Sequence, residues 1–314
     1  MRVFVAGHKG MVGRHVSDII SSCPEHELIT AERKKLDLLD EKGVSSFLAA
    51  CSPDQIIICA AKVGGILANS LNQYEFLIDN LRIQNNILNA AKELDIKNII
   101  FLGSSCIYPK FCPQPMKEED LLSSSLEETN EAYAIAKIAG IKLCQALNKQ
   151  YGFDTRALMP TNLYGAYDNF DLKSSHVIPA LIKKFLDAKK NGSNKVEIWG
   201  TGSPLREFMH VEDLASAIKF IMDINKNEFQ EAASNGVLMN VGSNSEVSIK
   251  QLAFIISEVV DFDGEIFFNT SYPDGTPRKL MDSGRLQKLG WHPKISLMDG
   301  LKKTIDWYVG NAYS

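Results

Sequence analysis

Arg2-Val3-Phe4-Val5-Ala6-Gly7-His8-Lys9-Gly10-Met11-Val12-Gly13 decides how this chain folds. Arg2–Ala6 is an apolar run of strand length, ended by glycines at 7, 10 and 13. Met11–Ser21 then carries apolar residues at helical spacing. A strand, a glycine loop and a helix in that order form the phosphate-binding turn of a βαβ unit. Gly7 permits the tight turn, Gly10 lets the backbone approach a pyrophosphate, and Gly13 lets helix and strand pack closely. The first N–H groups of the helix are free to bind phosphate. Gly7, His8, Lys9, Gly10, Met11, Val12 and Gly13 are therefore expected to line a dinucleotide.

Working outward, the alternation continues. Strands are expected at Glu27–Thr30, Gln55–Ala60, Asn98–Gly103 and Thr155–Pro160, and helices at Lys42–Ala50, Asn72–Leu94 and Asn130–Tyr151. Strands rich in Ile, Val and Leu between helices indicate an α/β fold with a Rossmann-type doubly wound parallel sheet. After Tyr164 the pattern loosens: residues 165–175 are polar and irregular. A helix from His176, a strand at Val196–Gly200, a helix at Val211–Met222, a strand at Leu238–Val241 and a last helix from Leu297 follow. Residues 1–164 are read as the nucleotide-binding domain. Residues 165–314 are read as a smaller α/β substrate-binding lobe, interleaved with the end of the first.

Composition bounds the partners. Hydrophobic residues at 45% and charged residues at 23% are ordinary for a globular chain, and 314 residues can bury a large core. A net charge of −4 gives no reason to expect nucleic acid or an anionic membrane as partner. No apolar run approaches the roughly 20 residues that span a bilayer. The chain starts directly on a strand, without a basic flank and apolar stretch, so no leader and a cytoplasmic location are expected. The six cysteines show neither a disulfide framework nor a metal-site spacing, so no metal is expected. Five of them are read as reduced, mostly buried thiols, and Cys106 is set apart.

The dinucleotide itself is chosen at the second strand, which ends Ile29-Thr30-Ala31-Glu32-Arg33-Lys34-Lys35. An NAD site would place a carboxylate there for the ribose 2′-OH. Lys9 and Arg33 can instead neutralise a 2′-phosphate while Glu32 is solvated, and NADP(H) is the favoured cofactor. Asp37 either contacts the adenine or begins a turn.

Chemistry is carried by Tyr133-Ala134-Ile135-Ala136-Lys137 and by Phe101-Leu102-Gly103-Ser104-Ser105-Cys106-Ile107-Tyr108. Tyr133 and Lys137 lie one helical turn apart, on one face. The second stretch is a strand running into small hydroxylated residues, and open α/β sheets bind ligands beyond the carboxyl ends of their strands. Tyr133 would exchange a proton with a sugar oxygen while the nicotinamide exchanges a hydride with its carbon. Ser104 would hydrogen-bond the same oxygen, and Lys137 would hold the nicotinamide ribose and help Tyr133 ionise.

Gly-x-x-Gly-x-x-Gly, Ser-Ser-Cys and Tyr-x-x-x-Lys in this order resemble an extended short-chain dehydrogenase/reductase acting on nucleotide sugars. Longer stretches resemble the GDP-L-fucose synthase family: Ala61-Lys62-Val63-Gly64-Gly65-Ile66, Gly103 to Lys110, Tyr133 to Gly140, Met159 to Gly165, Ser175 to Ala180, Arg206 to His210 and Pro273 to Lys279. The resemblance implies conversion of GDP-4-keto-6-deoxy-D-mannose to GDP-L-fucose, by epimerisation at C3 and C5 and then reduction of C4 with NADPH. Both carbons flank the ketone, so their protons are acidic. Inversion needs a base on one face, an acid on the other and a site for the enolate oxygen.

The resemblance makes Cys106 the base, if its thiolate is favoured, and His176 the acid, a residue that titrates near neutral pH. Ser104, Tyr133 and Lys137 would stabilise the enolate and then serve the reduction. The run after Ser104 lacks the acidic residues that sugar-nucleotide dehydratases carry there, which argues against dehydration. Two plainer readings stay open: Cys106 as a small buried thiol and His176 as a helix cap.

The resemblance also places cofactor contacts on Leu102, Gly103, Ser104, Ser105, Lys137, Pro160, Thr161, Asn162, Leu163 and His176, and GDP-sugar contacts on Lys184, Trp199, Arg206 and Lys279. Arg206 equally suits an ion pair with Glu207, and Trp199 either stacks on guanine or lines a core. Family members are typically homodimers through helices such as Asn72–Leu94 and Asn130–Tyr151. A nucleotide-sugar 4-epimerase with tightly bound NAD is the second reading.

Overall fold

In the computed structural model, residues 1–172 and 174–312 are described; Lys173, inside the irregular stretch expected after Tyr164, and residues 313–314 lie outside them. The first half runs β1 (Arg2–Ala6), α1 (Met11–Ser21), β2 (Glu27–Ile29), α2 (Glu41–Cys51), β3 (Gln55–Ile58), α3 (Ile66–Leu71), α4 (Gln73–Glu93), β4 (Asn98–Leu102), α5 (Glu131–Tyr151), β5 (Asp154–Pro160) and β6 (Asn162–Tyr164). The rest runs α6 (Val177–Lys190), β7 (Lys195–Trp199), β8 (Leu205–His210), α7 (Val211–Asp223), α8 (Lys226–Ala232), β9 (Leu238–Val241), β10 (Glu246–Ser248), α9 (Ile249–Val260), β11 (Glu265–Asn269), β12 (Arg278–Lys279), α10 (Gly284–Lys288) and α11 (Leu297–Ala312). Every strand expected before Tyr164 is present, with ends shifted by at most two residues.

Six parallel strands make the main sheet, in the order β2-β1-β3-β4-β5-β9. Chain order reverses between β1 and β3, and such a switch point opens a crevice at the carboxyl ends of the strands. Alternation of side chains along each strand divides the core. Phe4, Ile56 and Ile58 face α2, α4 and α5, whereas Val3, Val5 and Ile57 face α1 and α7. Ile56, Ile57 and Ile58 are fully buried, and each such side chain contributes on the order of 2 kcal/mol.

Residues from the second half complete this sheet. β9 pairs with β5, and α7 packs its buried Leu214, Ile218 and Ile221 into the same core as α1. The smaller lobe has its own core of α6, α9 and α11. There β8 is flanked by antiparallel β10 on one side and by parallel β6 and β12 on the other, while β7 and β11 form a separate parallel pair. The six cysteines are free thiols; Cys112 and Cys144 are buried, but Cys23, Cys51 and Cys59 are only half-buried, less than expected.

Candidate active site

The glycine loop at the switch point separates two demands. Gly7 has φ +90°, and a Cβ there would come within 2.7 Å of the Ala60 backbone beyond β3. A Cβ on Gly13 would run into the Gly7 carbonyl. Gly10 is different: its nearest neighbour would be the Gly7 oxygen at 3.5 Å, an ordinary contact. The chain's own packing does not require glycine at 10, so the room above it suits a ligand that approaches the backbone closely. Gly10 also starts α1 without a side-chain cap, and the first turn holds no acid. Its unpaired N–H groups and positive dipole end favour an anion.

Lys9 pairs with Glu32 at 2.8 Å, both side chains exposed. The Lys9 ammonium holds Glu32 below the usual carboxylate range. Glu32 is thus ion-paired rather than simply solvated. Arg33 is exposed, and Asp37 accepts from the Leu39 N–H and begins a turn.

At the end of β4, a Cβ on Gly103 would meet the tip of the Met159 side chain, which would have to move aside. Ser104 caps the short turn Ser105–Ile107, its Oγ accepting from the Cys106 N–H at 3.3 Å. The Tyr133 hydroxyl, presented by α5, hydrogen-bonds Ser104. Burial pushes the phenol well above its ordinary pKa, the charge of Cys106 adds to this, and the Ser104 bond opposes it. Tyr133 is therefore a neutral phenol at physiological pH. From β12, Lys279 reaches the same cluster, its Nζ 3.8 Å from Cys106 Sγ.

Lys137 lies behind this cluster and is 3% exposed. Its Nζ donates to the Leu102 carbonyl at 2.7 Å and lies 4.8 Å from the Phe101 ring centroid and 5.9 Å from that of Tyr133. Burial brings its pKa down to about 8. The expectation that Lys137 makes Tyr133 ionise is corrected here: desolvation dominates both groups, so the phenol is raised and the ammonium lowered.

A second group sits on the smaller lobe. Trp199 is 58% exposed and stacks on Tyr272 at 4.4 Å between centroids, so it lines no core. Lys184 donates to the Glu197 carbonyl at 2.9 Å and lies 5.1 Å from the Trp199 ring centroid. The Arg206–Glu207 ion pair does not form, because successive strand residues face opposite ways. Glu207 is fully buried and accepts from the Met281 N–H at 3.0 Å and the Asn244 N–H at 2.7 Å. Arg206 instead feels the carboxylate of Asp274 and is the register partner of Lys279.

Pro160 is buried at the end of β5, and Leu163 packs against the sheet core. Thr161 and Asn162 both donate to the Glu207 carbonyl, at 3.3 and 2.8 Å, which braces β5 and β6 against β8. His176 occupies the N-cap position of α6, as the plainer reading had it, but its side chain makes no capping hydrogen bond. It is exposed, and the desolvation it undergoes lowers its pKa. Among the described residues, no hydrogen bond links its ring to Ser104, Cys106 or Tyr133.

Residues 3–242 match the NAD dependent epimerase/dehydratase family. The chain belongs to that family. It is similar to GDP-L-fucose synthase 1 of Arabidopsis thaliana, 50% identical over 99% of this chain and 94% of that protein. It is 47% identical to the GDP-L-fucose synthase of Escherichia coli (strain K12), over 99% of this chain and 97% of that protein. Among solved structures it resembles a GDP-L-fucose synthetase from Naegleria fowleri bound to NADP, with a TM-score of 0.88 and 27% identity over 100% of this chain and 94% of the other.

Within this epimerase/dehydratase frame, sequence reading missed three side chains. Tyr272 completes the stack with Trp199. Asp274 accepts from Thr201 N–H and Oγ–H at 2.9 and 2.6 Å, tying the loop before β12 to the turn after β7. Glu207 anchors the strand that carries Lys279. Only the Asp274-Gly275 turn leaves a local trace in the sequence; the other two depend on contacts more than seventy residues apart.

Proposed function

We propose that this chain is a GDP-L-fucose synthase, converting GDP-4-keto-6-deoxy-D-mannose to GDP-L-fucose. The observation that carries the reading is a thiol, Cys106, set beside the hydroxyls of Ser104 and Tyr133. Cys106 takes the proton from C3 and then from C5, or in the reverse order, and His176 returns one on the opposite face. The Ser104 and Tyr133 hydroxyls hold the oxygen on which the enolate charge collects. Tyr133 afterwards gives its proton to the C4 oxygen, a task for which a raised pKa keeps it charged with that proton.

NADPH, when bound, supplies the hydride for C4. Gly7, His8, Lys9, Gly10, Met11, Val12 and Gly13 would hold its pyrophosphate, Lys9 and Arg33 its 2′-phosphate, and Lys137 its nicotinamide ribose. Leu102–Ser105, Pro160–Leu163 and His176 would surround the rest. Lys184, Arg206 and Lys279 would meet the GDP phosphates, and Trp199 the guanine. In this reading residues 1–164 serve mainly the cofactor and 165–314 mainly the sugar nucleotide. The outward faces of α4 and α5 would form a homodimer, and the enzyme would work in the cytoplasm. Among the described residues no helix is long and apolar enough to cross a membrane.

The test follows absorbance at 340 nm with GDP-4-keto-6-deoxy-D-mannose and NADPH. One NADPH oxidised per sugar nucleotide is expected. An NAD that stays bound and is never consumed would replace this reading with a 4-epimerase.

A further inference from the structure

Lys279 reaches Cys106 across a sequence separation of 173, and the approach is built rather than incidental. The chain after Cys106 and the chain after Lys279 are laced together. Leu280 N–H donates to Gln114 Oε1 at 2.9 Å, Met116 N–H to the Leu280 carbonyl at 2.8 Å, and Asp282 N–H to the Met116 carbonyl at 2.8 Å. Buried Glu207 fixes the same segment through the Met281 N–H. Both members of the pair are half-buried, where a charge is less screened than at the surface. Among the described residues Lys279 has no carboxylate at ion-pair distance.

We propose that Lys279 is the positioning residue for Cys106: its ammonium is the counter-charge that favours the thiolate needed for proton abstraction. This rests on the reading of Cys106 as base and adds to the phosphate contact implied for Lys279. In the step, the thiolate takes a proton from a carbon beside the ketone, and the C–H electron pair moves onto the ketone oxygen. The thiol becomes neutral and the ammonium keeps its proton. The other groups around the pair are the neutral phenol of Tyr133 from α5, the cation of Arg206 from β8, itself opposed by Asp274, and the Cys112 thiol, on which Lys279 also acts.

The experiment needs no sugar nucleotide, so its outcome is separate from that of the proposed reaction. Carboxamidomethylation of the intact protein by iodoacetamide at pH 7 is followed by peptide mass spectrometry, with Cys23, in the turn after α1, as internal reference. Only the thiolate reacts. Lys279→Met is expected to slow Cys106 about tenfold relative to Cys23, the effect of one opposite charge at this separation. Lys279→Arg is expected to keep the rate within about threefold of wild type, because the charge is retained. Lys279→Gln replaces Lys279→Met if that variant does not fold. Unchanged Cys106 reactivity in the neutral variants would overturn the proposal, as would equal slowing in Lys279→Arg. Loss of GDP affinity with unchanged reactivity would leave Lys279 as a phosphate ligand only, which also overturns it.

Discussion

Lys137 carries a charge into a place that hydrates it poorly. One carbonyl, that of Leu102, and the faces of two aromatic rings replace its water. Its pKa falls from 10.5 to about 8. Between those values the unfolded chain binds a proton that the native protein has released, so stability from this group rises with pH through that window. Below it, the native state bears the full penalty, on the order of 3 kcal/mol. Lys137→Met should therefore abolish reduction yet be more stable than wild type at pH 7 by about 1–3 kcal/mol, less the cost of the unpartnered Leu102 carbonyl. Urea midpoints at pH 7 and pH 10 measure this; the advantage should shrink at the higher pH. A constant advantage would mean that the ammonium is not desolvated. The residue was legible in the sequence because Tyr133 and Lys137 are one turn apart. Its low pKa was not, since that depends on burial, with Phe101 and the Leu102 carbonyl arriving from β4.

Elements differ in how far local pattern specifies them. β1 and α1 are announced by an apolar run, a glycine loop and a helical repeat, and they appear with the expected ends. β6, β10 and β12 have three, three and two residues, too few for a period to register. α3 was missed for the same reason, being six residues long, with Asn72 breaking it from α4. β12 exists because its neighbours hold it: it pairs with β8, and the carboxylate of Glu207 takes the Met281 N–H just beyond it. Glu207→Gln keeps the shape but turns an NH2 toward one of the two N–H donors, of Met281 and Asn244. A loss of about 1–3 kcal/mol is expected, together with slower Cys106 alkylation as Lys279 loses its register. A variant with wild-type thermal stability and thiol reactivity would show that β12 is held by strand pairing alone.

At the scale of the molecule, the chain threads its two lobes through each other. The sheet of the first half is finished by β9, and α1 is covered by α7, both from beyond Tyr164. Met209, Leu214, Ile218, Ile221, Phe229, Met239 and Trp291 are buried in that same core. The fold class was legible early because a doubly wound sheet repeats one unit; which later strand closes it was not, since nothing in Leu238-Met239-Asn240-Val241 sets it apart from any other short strand. The site inherits this threading, with Ser104 and Cys106 after β4, Tyr133 and Lys137 on α5 and Lys279 on β12. A fragment ending at Tyr164 would leave β5 as an unpaired edge and strip the apolar face of α1. Such a surface is an aggregation hazard rather than a domain boundary. The full chain is thus expected to melt in one cooperative transition, raised by NADP+ through ligand linkage, while the 1–164 fragment shows no cooperative melt by circular dichroism. A fragment that folds and binds NADP+ on its own would show that the later residues only decorate a nucleotide domain complete without them.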